Sequence, residues 1–245
     1  MGVYDFHSHI LPGIDDGAKD LSTSMEMLEK VCTQKVDIMA ATPHFYASRD
    51  RIDSFLKRRG MAWDAFFFGM EEKRKQGLED IPRFILGSEV AFFDDISRAE
   101  EIELLTYGKS NLMLLEMPFV PWTQRNIEEV AYLLQERGFR ILIAHLERYL
   151  GIPGNKKQVK ALLELPVFVQ LNAEALLDRW HRHTYLKMFA EGTAHVLGSD
   201  CHGAHHRVPN LQIGRDMIGK KKGRPLLEEI DRRGYELLCE GDLLV

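Results

Sequence analysis

Val3-Tyr4-Asp5-Phe6-His7-Ser8-His9 opens with a short apolar run and ends in two histidines separated by one residue. Such a run reads as a buried strand, and the same design recurs along the chain. Val36 to Ala41 is followed by Thr42-Pro43-His44, Phe84 to Leu86 by Gly87-Ser88-Glu89, Asn111 to Leu115 by Glu116, and Arg140 to Ala144 by His145. Val167 to Leu171 reads as a strand as well, and Ala194 to Leu197 leads into Ser199-Asp200-Cys201-His202.

Between these runs lie amphipathic stretches. Leu21, Met25, Leu28, Val31 and Cys32, and again Ile127, Val130, Leu133 and Leu134, have the three- and four-residue spacing that puts apolar groups on one helix face. Alternating strands and helices predict an α/β fold, a parallel sheet or barrel covered by helices. In a parallel barrel the carboxyl ends of the strands face one mouth, so the histidines and carboxylates after the strands converge there. The aromatic-rich segment 51–77 is expected to be a long helix, or a broken pair, across the outside. Its Phe55, Trp63, Phe66, Phe67 and Phe68 are read as core. With no repeat, low-complexity tract or Pro/Gly/Ser linker, residues 1–245 are expected to form a single domain.

The 245 residues carry 37 acidic and 32 basic side chains, a net charge of -5, which argues against nucleic acid or an anionic membrane as partner. The run Lys220-Lys221-Lys222-Gly223-Arg224 contains no stacking aromatic and reads as a solvated turn before the last helix. No segment is apolar enough to insert into a membrane, and the first residues lack a basic and then apolar export pattern, so the expected location is cytoplasmic. Cys32, Cys201 and Cys239 are odd in number and far apart, which speaks against a disulfide framework.

Imidazole and carboxylate together suit manganese, iron or zinc, and without paired cysteines a structural zinc site is not expected. Residues two apart in an extended segment point the same way, so His7 and His9 can grip one ion. His181, His183, His195, His205 and His206 are read as non-ligands.

These segments resemble the PHP superfamily, named for polymerase and histidinol phosphatase, and most closely its bacterial manganese-dependent tyrosine-protein phosphatase branch. The matching stretches are 5–17 (Asp5-Phe6-His7-Ser8-His9-Ile10-Leu11-Pro12-Gly13-Ile14-Asp15-Asp16-Gly17), Ala41-Thr42-Pro43-His44, Gly87-Ser88-Glu89, Leu115-Glu116, 144–149 (Ala144-His145-Leu146-Glu147-Arg148-Tyr149) and Ser199-Asp200-Cys201-His202. The resemblance implies a TIM-like PHP fold, a distorted (β/α) barrel of seven strands. It implies three divalent metal ions, Mn2+ with Fe or Zn as alternatives, held by His7, His9, Asp16, His44, Glu89, Glu116, His145, Asp200 and His202. It also implies that Arg148 and Arg207 bind phosphate, for which their planar forks are suited. The implied reaction is hydrolysis of phosphotyrosine by metal-activated hydroxide, on the tail of a bacterial tyrosine kinase controlling capsule or exopolysaccharide synthesis. A phenolate leaves with a pKa near ~10 and needs little help from an acid, although Asp15, His205 or His206 could protonate it. Phe119, Trp122 and Trp180 would suit the phosphotyrosine ring if they border the mouth, but core is the expectation for each.

Three rival readings compete with this one. Cys201 and Arg207 match the cysteine-x5-arginine spacing of thiol phosphatases, but the neighbouring Asp200 would raise the thiol pKa, and Cys201→Ser is expected to keep most activity. Histidinol phosphate or another small phosphomonoester is the alternative substrate. A non-catalytic barrel holding a phosphorylated partner would keep several like charges together without metal, at considerable cost.

Overall fold

The computed structural model describes residues 2–239. The side chain of Cys239 lies outside the described residues, whereas Cys32 and Cys201 are buried free thiols. Strands and helices alternate as β1 (Tyr4–Asp5), α1 (Leu21–Cys32), β2 (Ile38–Ala41), β3 (His44–Phe45), α2 (Ile52–Lys75), β4 (Arg83–Leu86), β5 (Glu89–Ala91), β6 (Leu112–Glu116) and α3 (Gln124–Gln135). They continue as β7 (Arg140–Ile143), α4 (Glu147–Leu150), α5 (Lys156–Leu163), β8 (Phe168–Asn172), α6 (Arg182–Glu191), β9 (Val196–Gly198), α7 (Leu211–Lys222) and α8 (Arg224–Cys239). All the ladders between these strands are parallel.

Each of the seven apolar runs contains a strand, and the chain has the expected α/β fold with parallel strands. The strands pair as a three-stranded sheet, β1-β2-β4, and a six-stranded sheet, β3-β5-β6-β7-β8-β9. The division falls where two runs are interrupted. Pro43, which has no N–H to donate, separates β2 from β3, and Gly87-Ser88 separate β4 from β5. Beyond each break the chain pairs again, with His44 opposite Glu89. The outer strands also meet: Phe6 N–H donates to Leu197 O at 3.2 Å, Asp200 N–H to His7 O at 2.8 Å, and Ser8 bridges Cys201.

Alternation within the strands sorts the core. Tyr4 and Phe6, Ile38 and Ala40, Leu112 and Leu114, and Leu142 and Ala144 join Ile85 and Val196 in one buried cluster drawn from both sheets. The intervening residues, such as Met39, Met113, Leu115, Ile141 and Ile143, pack in a larger cluster with the helices. Asp20 caps α1 by accepting from Thr23 N–H at 2.8 Å, and α1 buries Met25, Leu28, Val31 and Cys32. Thr123 and Asn126 form a capping box on α3, which buries Ile127, Val130 and Leu133.

The segment 51–77 is one helix, α2, rather than a broken pair. It buries Phe55 and Phe66 but leaves Phe67 and Phe68 exposed, so the core reading of its aromatics holds only in part. The three lysines read as a turn instead form the last turn of α7, where cations complement the helix dipole, and Gly223 (φ +87°) turns the chain into α8.

Candidate metal centre

The strands and the segments that follow them bring all nine of the expected ligand residues into one network, with His44 and Glu89 opening β3 and β5 and Glu116 closing β6. His7 and His9, just beyond β1, are fully buried, and their Nε2 atoms lie 3.1 Å apart. The other nitrogen of each ring has a defined partner. His9 Nδ1 donates to Asp15 Oδ2 at 2.7 Å, and His7 Nδ1 to Gln170 Oε1 at 3.2 Å. Both Nε2 lone pairs therefore face inward and each other, an arrangement that calls for a cation or proton between them.

Glu89 stands at the centre. Its Oε2 is 3.1 Å from His7 Nε2, 3.2 Å from His9 Nε2 and 3.0 Å from His44 Nδ1, while Oε1 accepts from His145 Nε2 at 2.8 Å. His145 is also 3.4 Å from Glu116, and Asp200 Oδ1 lies 3.7, 3.6 and 3.5 Å from nitrogens of His7, His9 and His202. Asp16 reaches His44 at 3.5 Å and His202 at 3.6 Å from the solvent side, with its side chain 69% exposed.

Among the described residues three overlapping groups have one donor atom per residue within 4.8 Å of one another: His9, Asp16, His44 and His202; His7, His9 and Glu89; and His44, Glu89 and Glu116. His145 Nδ1 and His202 Nε2 are buried without a hydrogen bond, and His44 Nδ1 and Glu89 Oε2, though 3.0 Å apart, make no aligned one. Buried polar atoms normally find partners, so this mixed nitrogen and oxygen donor set fits divalent metal.

The electrostatics point the same way. Burial opposes charge on His9, but Asp15 and Glu89 overcome it and raise the imidazole to about 10. Burial likewise opposes charge on His145, which Glu116 and Glu89 lift to about 9. Glu89 itself, despite burial, is held well below the usual carboxylate range by the histidines around it. His202 goes the other way, to about 3, because it is buried and its ring centroid is 3.9 Å from that of charged His9. The pocket demands positive charge but cannot place it on every ring.

Arg148 and Arg207 converge on Asp200. Arg148 pairs with its Oδ2, and Arg207 Nη2 lies 2.7 Å from its Oδ1. Both guanidinium side chains remain partly open, at 31% and 37% exposure. His145, Asp200 and Arg207 have left-handed backbone with φ of 31°, 50° and 47°. Such conformations cost roughly 1–3 kcal/mol each in a non-glycine residue and cluster at functional sites.

Several contributors were not expected. Gln170 and Asn172 lie on β8, the run with no ligand at its end. His145 N–H donates to Gln170 Oε1 at 2.8 Å, Gln170 Nε2 donates to Asn172 Oδ1 at 2.8 Å, and Asn172 Nδ2 donates to Asp200 Oδ2 at 2.8 Å. A backbone N–H can only donate, so it fixes the orientation of the whole amide relay and the tautomer of His7. Gly198 leaves room for this relay, since a Cβ there would lie 2.7 Å from His7 Cβ and 2.8 Å from Gln170 Nε2. The available signal was two amides at alternate positions of an otherwise apolar run.

Other expectations are corrected. Asp15 accepts from His9 Nδ1, from His44 N–H at 2.9 Å and from Gly17 N–H at 2.9 Å. Although burial opposes it, these partners hold its carboxyl far below the usual range, so it braces histidines and has no proton to give. His205 is 81% exposed and lies 3.6 Å from Glu26 on α1, and His206 is exposed beside it. His181 and His183 lie outside the cluster, and His195 accepts from Val169 N–H at 3.1 Å. Trp122 is core, as expected, but Trp180 is 90% exposed and Phe119 52% exposed. Cys201 is fully buried, and burial with Asp5 and Asp200 nearby pushes its thiol up, which is unsuited to a thiolate nucleophile. A cleft of about 570 Å³ at the amino ends of the strands, lined by Lys35, Gln212, Arg215 and Lys220, is separate from this cluster.

Known proteins share this arrangement of the chain. It is 26% identical over 243 residues to the tyrosine-protein phosphatase CpsB of Streptococcus pneumoniae, covering 93% of this chain and 94% of the relative. It is 28% identical over 240 residues to the tyrosine-protein phosphatase YwqE of Bacillus subtilis, covering 91% and 87%. Its fold matches crystal structures of YwqE and CpsB, described as unique metal-dependent tyrosine phosphatases, with a TM-score of 0.78 at 22% identity over 95% of this chain and 93% of the other. Residues 3–237 match the family described as capsular polysaccharide synthesis, CpsB/CapC, and on that match, spanning nearly the whole sequence, the chain belongs to the CpsB/CapC family.

Proposed function

We propose that this chain is a metal-dependent protein-tyrosine phosphatase acting on a phosphoprotein of capsule or exopolysaccharide synthesis, such as the phosphorylated tail of a tyrosine kinase. The observation that carries the reading is the convergence of His7, His9, Asp16, His44, Glu89, Glu116, His145, Asp200 and His202 in one cluster of nitrogen and oxygen donors, several of them buried without an aligned hydrogen bond. These residues would hold the metal, and the three overlapping donor groups are compatible with three ions; Mn2+ is our assignment, with Fe or Zn suited to the same ligands. We also take the two sheets as one distorted seven-stranded barrel in a single domain, a reading supported by the Phe6 to Leu197 hydrogen bond.

When bound, divalent ions supply Lewis acidity and acidify water enough for it to attack near neutral pH. The protein does the rest. Arg148 and Arg207, anchored on Asp200 and partly open, direct their remaining N–H donors at phosphate oxygens and balance charge that grows there as the P–O bond breaks. Asp15 and Gln170 hold the outer nitrogens of His9 and His7 and so aim the inward nitrogens of both rings at the site that metal would occupy. A tyrosine phenolate departs with little proton assistance.

The test is phosphate release from a phosphotyrosine peptide, a phosphoserine peptide and histidinol phosphate by metal-stripped protein, with and without manganese. Selective release from phosphotyrosine, restored by manganese, is expected. Activity indifferent to stripping would overturn the metal mechanism, and preference for histidinol phosphate would overturn the substrate.

A further inference from the structure

The loop Met117-Pro118-Phe119-Val120-Pro121-Trp122 joins β6 to α3, immediately after Glu116. It displays two apolar side chains together, Phe119 at 52% and Val120 at 59% exposure. An exposed phenyl group forgoes burial energy, and here the loop cannot fold it inward. Pro118 and Pro121 restrict the backbone. Met117 N–H donates to the Tyr149 hydroxyl at 3.0 Å, Trp122 N–H to Asn155 Oδ1 at 2.8 Å, and the Trp122 indole N–H to Pro118 O at 2.8 Å. The ring of Phe119 is stacked on His145, with centroids 5.7 Å apart and planes at 23°, and lies 5.3 Å from Tyr149. His145, Arg148 and Tyr149 belong to one turn after β7, so the exposed ring stands beside the turn that carries a proposed phosphate-binding arginine.

We propose that Phe119 is a rigid platform for the aromatic ring of the substrate and makes the site selective for aryl over alkyl phosphate monoesters. This rests on the phosphatase reading above. A phenyl ring offset against Phe119 gains both burial and quadrupole complementarity, whereas the short alkyl arm of phosphoserine covers little of it. The clamped loop loses little freedom on binding. Val120 extends the apolar surface to the residue flanking the phosphotyrosine.

The test compares wild type with Phe119→Ala and Phe119→Tyr, all manganese-loaded, in hydrolysis of a phosphotyrosine peptide and in inhibition by phenylphosphonate and methylphosphonate. Phe119→Ala is expected to lower kcat/KM for the peptide about tenfold, through KM, and to lower the preference for phenylphosphonate over methylphosphonate by the same factor. Phe119→Tyr is expected to restore both. Equal weakening of the two inhibitors would mean that Phe119 only braces His145, and an unchanged preference would mean that the ring lies elsewhere; either overturns the proposal. A wild-type protein that leaves phosphotyrosine intact would instead overturn the phosphatase reading itself.

Discussion

Asp15 and Asp16 are neighbours with opposite tasks. The Asp15 side chain is 5% exposed and accepts three hydrogen bonds, while that of Asp16 is 69% exposed and borders His44 and His202. Gly17, which follows them, lets the chain pass close against His9: a Cβ there would lie 2.3 Å from His9 O. Asp15→Asn removes the charge that orients His9 and is expected to weaken metal binding by roughly ten- to a hundredfold. A competition titration with a chromogenic chelator measures this, and unchanged affinity would remove Asp15 from the support of the centre. The ligand types were legible because histidine and carboxylate follow strand after strand. The resemblance separated Asp16, as a ligand, from Asp15, but the bracing role of Asp15 was not legible, because it depends on burial and on partners the sequence does not show.

At the scale of elements, β8 and the segment entering β9 are tied by His195. Its Nδ1 accepts from Val169 N–H, which requires a neutral ring, and burial together with Arg233 lowers it from 6.5 to about 4. The folded form thus disfavours the proton. The stability gained is full above pH 6.5 and is lost as pH falls toward about 4. His195→Gln keeps an acceptor that cannot titrate, so its urea midpoint is expected to fall less than that of wild type across this window. A parallel fall in both proteins would refute the role.

In α2, Phe66 is fully buried and packs edge-on against Phe84 with centroids 5.0 Å apart, while Phe68 is 67% exposed. Phe66→Ala is expected to cost about 3–5 kcal/mol, and Phe68→Ala no more than about 0.5 kcal/mol, by equilibrium denaturation. The length and aromatic content of the segment point to a long helix or a broken pair, and the structure shows one helix. Its aromatics all read as core in the sequence, and only the packing of the helix on the sheet separates buried Phe66 from exposed Phe68.

At the scale of the whole molecule, the donor set draws on residues that follow β1, β7 and β9, open β3 and β5 and close β6, so it links both sheets. Metal that binds only the folded form must stabilise it, by about 2.7 kcal/mol at a hundredfold excess over Kd. Chelation is therefore expected to lower Tm and added manganese to restore it. A Tm insensitive to chelator would argue against occupancy of the centre.

The order of strands and helices, and the placement of ligand-type residues after the strands, were determined by the sequence itself. Hydrophobic period and side-chain chemistry are local properties, readable within a few residues. Tertiary structure decided the pairing of the strands into two sheets, the exposure of Phe119, and which nitrogen of His7 and of His9 faces inward. Those depend on partners remote in the chain: the tautomer of His7 is set by Gln170, 163 residues away, and that amide is oriented by the backbone of His145.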